Sequence, residues 1–237
     1  MGSKDTSLRK LVIAMDGTAG SGKSSASRGV ATTLGMRYLD TGAMYRAMTW
    51  QMLIDGIDVS DETAVAQRAE TVELDSATDP VDPGIWLEGV DVSREIRTAQ
   101  TTAAVSAVSA VPRVRELLVE RQREKIAEGG IVVEGRDIGA VVVPDANLKI
   151  YLIADPAARA ARRSAELTGQ QARDVASVEA DLVRRDSYDS TRTTSPLRAA
   201  ADAVVLDTTS MTLNEVIATV VALARGRAAP GKDGRPS

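Results

Sequence analysis

The chain has 237 residues, a formal net charge of −4, 43% apolar and 26% charged residues, the make-up of a soluble globular protein with ample core. Its mild acidity implies no general affinity for nucleic acid or anionic membrane. Cysteine and histidine are absent, which excludes disulfides and thiolate zinc sites and removes the usual general base.

Residues 1–10 are polar and read as a flexible leader. From Leu11 an apolar run, Leu11-Val12-Ile13-Ala14-Met15, reads as a buried parallel strand ending in Asp16-Gly17-Thr18-Ala19-Gly20-Ser21-Gly22-Lys23-Ser24-Ser25. This is the phosphate-binding loop spacing, Gly-x-x-x-x-Gly-Lys-Ser. Gly17, Gly20 and Gly22 let successive amides turn inward on a phosphate. The helix that follows aims its N-terminal dipole at the same anion. Lys23 is expected on the β- and γ-phosphates and the Ser24 hydroxyl on Mg²⁺. The loop points to a nucleoside triphosphate on the donor side and says nothing about what receives the phosphate.

Lys23 to Leu34 has helical spacing and Gly35 closes it. Met36 to Asp40 is a short strand, and Thr41-Gly42 opens a helix through Ile54, with Arg46 opposite its apolar stripe and facing out of the core. Ser60 to Arg68 reads as a helix capped by Ser60 or Asp61. Thr71 to Asp75 alternates, Asp79 to Gly84 is turn chemistry, and Ile85 to Val92 alternates again, so a small β insertion is expected at about 72–97. Two helices follow, Thr101 to Val111 and Arg113 to Glu128, divided by Pro112. Ile131-Val132-Val133 is a buried strand leading into Glu134-Gly135-Arg136-Asp137. Leu148 to Ile153 is a strand, Asp155-Pro156 starts an arginine-rich helix, Val175 to Asp186 is helical, Ala203 to Asp207 is the last strand, and Leu213 to Arg225 the last helix. Residues 227–237 read as a disordered tail.

Strands alternating with helices predict an α/β fold, a parallel sheet covered on both faces. Ligands in such sheets bind beyond the carboxyl ends of the strands, which selects Gly17 to Ser24, Asp40-Thr41, Arg136-Asp137 and the residues from Asp155 onward. Phosphoryl transfer between anions is chiefly positioning and charge stabilisation, and Arg46, Arg136, Arg159, Arg162, Arg163, Arg185 and Arg192 supply the cations. Spacing puts Arg159, Arg162 and Arg163 on one side of their helix. A phosphate acceptor, whose second pKa is about 6, attacks without a base. A chain without histidine favours that acceptor, although Asp137 leaves a hydroxyl acceptor open.

An ordered set of segments resembles the bacterial cytidylate kinases, within the nucleoside monophosphate kinases. It comprises Asp16-Gly17 to Ser24, Leu39 to Arg46, Glu88 to Arg97, Val111 to Arg115, Glu134 to Gly139 with Pro144-Asp145-Ala146, Arg184 to Arg192, and Ser195 to Ala203. The resemblance implies a three-layer phosphate-loop kinase domain over residues 11–226, with the β insertion in the CMP-binding region and a short lid at about 156–174. It implies transfer of the γ-phosphoryl group of ATP, with Mg²⁺, to CMP or dCMP. Gly17, Thr18, Ala19, Gly20, Ser21, Gly22, Lys23, Ser24 and Ser25 would bind ATP. Thr41, Ser106, Arg115 and Asp137 would surround the cytosine. Arg46, Arg136 and Arg192 would hold the CMP phosphate, and Arg185 and Asp189 would meet the sugar. Lys23, Arg136 and the lid arginines Arg159, Arg162 and Arg163 would act on the migrating group. A cytoplasmic monomer with no nucleic-acid or membrane partner is expected. Thr18 stands where that family commonly has proline, Thr41 replaces a frequent serine, and 169–173 match poorly. Competing readings are another small-molecule kinase of the thymidylate or shikimate type, against which the insertion and the Arg115/Asp137 pair argue, and a nucleotide switch. The chain has no Asn-Lys-x-Asp guanine-reading motif to support a switch.

Overall fold

The computed structural model describes residues 8–166, 174–191 and 197–228. A five-stranded sheet runs in the order β2-β6-β1-β7-β8, formed by β1 (Val12–Gly17), β2 (Arg37–Asp40), β6 (Ile131–Glu134), β7 (Leu148–Ile153) and β8 (Val204–Asp207). All its pairings are parallel. Strand alternation sends Ile13, Met15 and Val132 to one face and Ala14, Ile131 and Val133 to the other, so the sheet divides two apolar cores. The first core is closed by α1 (Lys23–Leu34) and α8 (Leu213–Ala228). The second is closed by α2 (Thr41–Ile54), α3 (Glu62–Ala69), α4 (Ala99–Ala110) and α5 (Pro112–Ile126). Helices α6 (Pro156–Glu166) and α7 (Val175–Thr191) pack on one another and meet the phosphate loop through a small cluster of Ala19, Ala160, Val178 and Leu182.

Local chemistry sets the boundaries. Asp40 accepts the Ala43 amide at 2.9 Å and caps α2, so the helix starts at Thr41 with no break from β2. Asp61, not Ser60, caps α3. Pro112 occupies the first turn of α5, where its missing N–H costs nothing. The insertion forms an antiparallel sheet of β3 (Leu74–Ser76), β4 (Ile85–Leu87) and β5 (Val90–Asp91). The alternating stretch Ile85 to Val92 is thus a hairpin rather than one strand. Glu88 (φ 49°) and Gly89 (φ 78°) both take positive φ, as the twist of a two-residue hairpin turn requires. Arg28 on α1 donates to the carbonyls of Pro80 and Val81, and the Tyr38 amide to that of Thr78. These bonds seat the insertion's loop over the edge strand β2.

Two end segments differ from expectation. Leu8–Lys10 form a 3-10 turn against the backbone of Gly129 and Gly130, so the leader is ordered where it enters β1. Helix α8 runs to Ala228 with Val216, Val220, Val221, Ala224 and Ala228 buried, because that face continues the core one turn past the expected end. The rest of the tail, and residues 167–173 of the expected lid, lie outside the described residues. No helix among the described residues is long and apolar enough to cross a membrane.

Gly17 turns the chain out of β1 with φ 150°, and a Cβ there would sit 2.3 Å from the Leu152 carbonyl oxygen of β7. Gly17→Ala is expected to lower unfolding free energy by about 2–3 kcal/mol. Urea denaturation checks this, and an unchanged midpoint would show that β7 yields freely.

Candidate active site

The phosphate loop lies between the central strand and α1. Gly20 and Gly22 have φ of 74° and 85°, which lets the loop close on itself. The Thr18 carbonyl accepts the Ser21 amide, the Ser21 hydroxyl and, at 3.0 Å, the Lys23 ammonium. The Thr18 hydroxyl is buried and has no hydrogen-bond partner among the described residues. No side chain caps the N-terminus of α1, so its amides face outward for an anion. The Ser24 hydroxyl donates to one oxygen of Glu134 at 2.8 Å, and the Tyr38 hydroxyl donates to the other at 2.9 Å. Burial, with Asp40 nearby, pushes the Glu134 carboxyl up, while burial and the neighbouring Arg136 pull the Lys23 ammonium down. The described residues contain no cluster of three or more acidic side chains that could hold a metal alone. A serine hydroxyl beside one carboxylate is nevertheless the hard-oxygen set that Mg²⁺ takes when phosphates supply the rest. Ser25 is exposed on the first turn of α1.

The Arg136-Asp137 segment is tied to the phosphate loop through Asp16. This carboxylate is 5% exposed and accepts the amides of Ile138 and Gly139, each at 2.8 Å. Burial raises its pKa to about 6 against the opposing effect of those amides. The bonds anchor a π-helical turn, Ile138–Val142, and with it the preceding Arg136 and Asp137. Arg136 donates to the Gly17 carbonyl at 2.8 Å. Asp137 pairs with Arg115 in the interior, the two side chains 6% and 5% exposed. The Arg115 guanidinium lies 5.6 Å from the Tyr45 ring centre and also donates to the Ser109 carbonyl. Thr41 is buried and donates to the Glu134 carbonyl at 2.7 Å.

Arg46, placed opposite the apolar stripe by periodicity, is covered by other elements on that side of α2. It is half-buried and donates to the Thr102 hydroxyl at 2.9 Å, because α4 and a 3-10 turn at Glu95–Arg97 cover that side of α2. Burial is the main cause that pulls its pKa down to about 10, with Arg97, Arg163 and Arg136 adding to it and Asp40 opposing. Arg163 and Arg136 therefore share one field with Arg46, as Arg185 does with Lys23. Ser106 is half-buried on α4. The side chain of Asp189, and Arg192 entirely, fall outside the described residues.

The three arginines of α6 part company. Arg159 is 5% exposed; it donates to the Ala19 carbonyl at 2.8 Å and pairs with Asp186. Arg162 reaches the hydroxyl and carbonyl of Thr208, whose hydroxyl in turn lies 3.3 Å from the Ser21 carbonyl. Arg163 contributes its positive charge to the field that lowers the pKa of Arg46. Asp16, Tyr38, Glu134 and Asp186 received no role from the sequence. The signal for two of them was present, since Asp16 and Glu134 close strands whose carboxyl ends form the site. Asp186 is brought in only by the packing of α7.

Fold and site define an α/β protein of the phosphate-loop class. A family model described as cytidylate kinase matches residues 13–226. The chain is 55% identical to the cytidylate kinase of Streptomyces avermitilis over 90% of this chain and 92% of that one. It is 54% identical to the cytidylate kinase of Nocardia farcinica over 91% and 92% of the two chains. It is 50% identical to that of Rhodococcus opacus over 95% of this chain and the whole of the other. The chain belongs to the cytidylate kinase family.

Proposed function

We propose that this chain, as one domain over residues 11–226, transfers the γ-phosphoryl group of Mg-ATP to the phosphate of CMP or dCMP, giving ADP and CDP or dCDP. The observation that carries this reading is the Asp16 tie. It fixes Arg136 and Asp137 against the phosphate loop, so an acceptor phosphate held by Arg136 would stand next to the donor. The amides of Gly20 to Ser25 and the Lys23 ammonium bind the triphosphate, Lys23 leaving the Thr18 carbonyl to do so. Mg²⁺ held by Ser24 would neutralise charge on the β- and γ-phosphates. Arg46, Arg136 and Arg192 hold the acceptor phosphate, whose ionised oxygen attacks in line and needs no base. Thr41, Ser106, Arg115 and Asp137 meet the cytosine, and Arg185 and Asp189 the sugar. Arg162 and Arg163 approach from α6 and exclude water as the lid segment at about 156–174 closes. The protein acts as a cytoplasmic monomer.

ADP formation from Mg-ATP should be measured with CMP, dCMP, UMP, AMP, dTMP, shikimate and no acceptor. CMP or dCMP is expected to give at least about 100-fold more turnover than the poorest acceptors, since a site built to hydrogen-bond one base rejects those that leave it unpaired. Turnover with CMP and dCMP equal to the rate without acceptor would sink the reading.

A further inference from the structure

The phosphate loop is gripped at one residue by the helices α6 and α7. Ala19 presents its N–H to Asp186 at 3.0 Å and its carbonyl to Arg159 at 2.8 Å. Its methyl group packs against Ala160, Val178 and Leu182. Asp186 and Arg159 are themselves paired, with side chains 15% and 6% exposed, so both polar atoms that Ala19 offers are held by one buried ion pair. The same Asp186 carboxylate stands 3.9 Å from Arg136. The loop, Arg136 and the helices α6 and α7 thus share one counter-ion. Neighbouring Gly20 leaves room for this contact, because a Cβ there would come within 3.3 Å of Arg159 and Leu182.

We infer that Asp186 is a positioning residue for phosphoryl transfer. Through Arg159 and the Ala19 amide it fixes the Ala19 wall of the loop, and through its charge it holds Arg136 beside that wall. Arg159 is on this assignment the inner half of an anchor between α6, α7 and the loop. The inference rests on the proposed kinase reading for its catalytic consequence, while the anchor itself is a property of the fold. The electrostatic sign makes the role distinguishable from plain structure. Asp186 is a negative charge beside a triphosphate site, so its neutralisation cannot weaken attraction for ATP. It releases the arginines that the transition state needs.

Asp186→Asn keeps the size and an acceptor for the Ala19 N–H but removes the charge. With CMP and Mg-ATP, kcat is expected to fall about a hundredfold, the scale of a small misplacement at a reacting centre. The dissociation constant for Mg-ATP alone, from calorimetric titration, should stay unchanged or tighten. Arg159→Met should lower kcat comparably, with Mg-ATP affinity unchanged or weaker because it removes a positive charge, and Asp186→Glu should recover part of the rate. Amide hydrogen exchange at Ala19, which needs no acceptor, should show protection in the wild type and loss of it in Asp186→Ala. Unchanged kcat in Asp186→Asn, or ATP affinity and kcat falling together in that variant, overturns the assignment. Ala19 exchanging equally fast in wild type and Asp186→Ala also overturns it. A wild-type chain that protects Ala19 yet shows no CMP-dependent turnover refutes the kinase reading and leaves the anchor standing.

Discussion

Asp137→Ala is expected to lower the unfolding free energy by about 3–5 kcal/mol, because it strands the Arg115 guanidinium in the interior without its partner. The double variant Arg115→Met/Asp137→Leu removes both charges and fills similar volume, so it should recover most of that loss. The ion pair would then be contributing little net stability, and its retention would lie in recognition. The Asp137 carboxylate and the Arg115 fork offer an acceptor and donors in one buried place, the combination that a cytosine amino group and ring carbonyl require. Both variants should therefore lose most of the preference for CMP over UMP, including the double variant whose fold is restored. Denaturant unfolding paired with kcat/KM for the two nucleotides checks this. A double variant that regains base preference together with stability would remove the pair from the base pocket.

The second large effect is expected at Arg136. Its guanidinium touches the first carbonyl of the phosphate loop and lies in one field with Lys23 and Arg46, the meeting place of donor and acceptor phosphates on the proposed reading. Arg136→Ala should lower kcat with CMP by about 10³-fold or more, the scale for an arginine on the migrating group. Binding of Mg-ATP should change by less than about tenfold, since the loop amides and Lys23 remain and Lys23 is relieved of a repelling neighbour. Arg136→Lys should restore little of the rate, because a point charge does not reproduce a planar fork. Steady-state kinetics and an ATP titration measure both quantities. A loss of less than about tenfold in kcat would place Arg136 outside the transfer step.

Most of the frame was legible in the residues. The short apolar runs of β1 and β6 read as buried strands from their length and flanking residues, and Gly35, Asp40 and Pro112 mark helix ends through local backbone chemistry. The hairpin inside Ile85 to Val92 was missed because Glu88 is an uncommon residue at positive φ, and side-chain alternation does not register a reversal at Glu88-Gly89. The site was legible where residues lie at strand ends. It was illegible where a contact is made by packing between distant segments: Arg46 is covered by α4, and Arg159 turns inward because α7 brings Asp186 to it. Helical spacing states which residues share a side and is silent on what arrives there. Hence three arginines on one helix found three different neighbourhoods.

The strand order also bears on how the chain must assemble as it is made. β1 is bonded to β6 and β7, and β2 to β6, so the first two strands have no sheet partner until roughly a hundred further residues are synthesised. At translation rates of about 5–20 residues per second, that interval is on the order of 5–20 s. During it the apolar segment Leu11 to Met15 leaves the ribosome with only helices and the insertion able to fold around it. The strand that later carries the phosphate loop is therefore, in the nascent chain, an apolar segment that gains from a chaperone's cover.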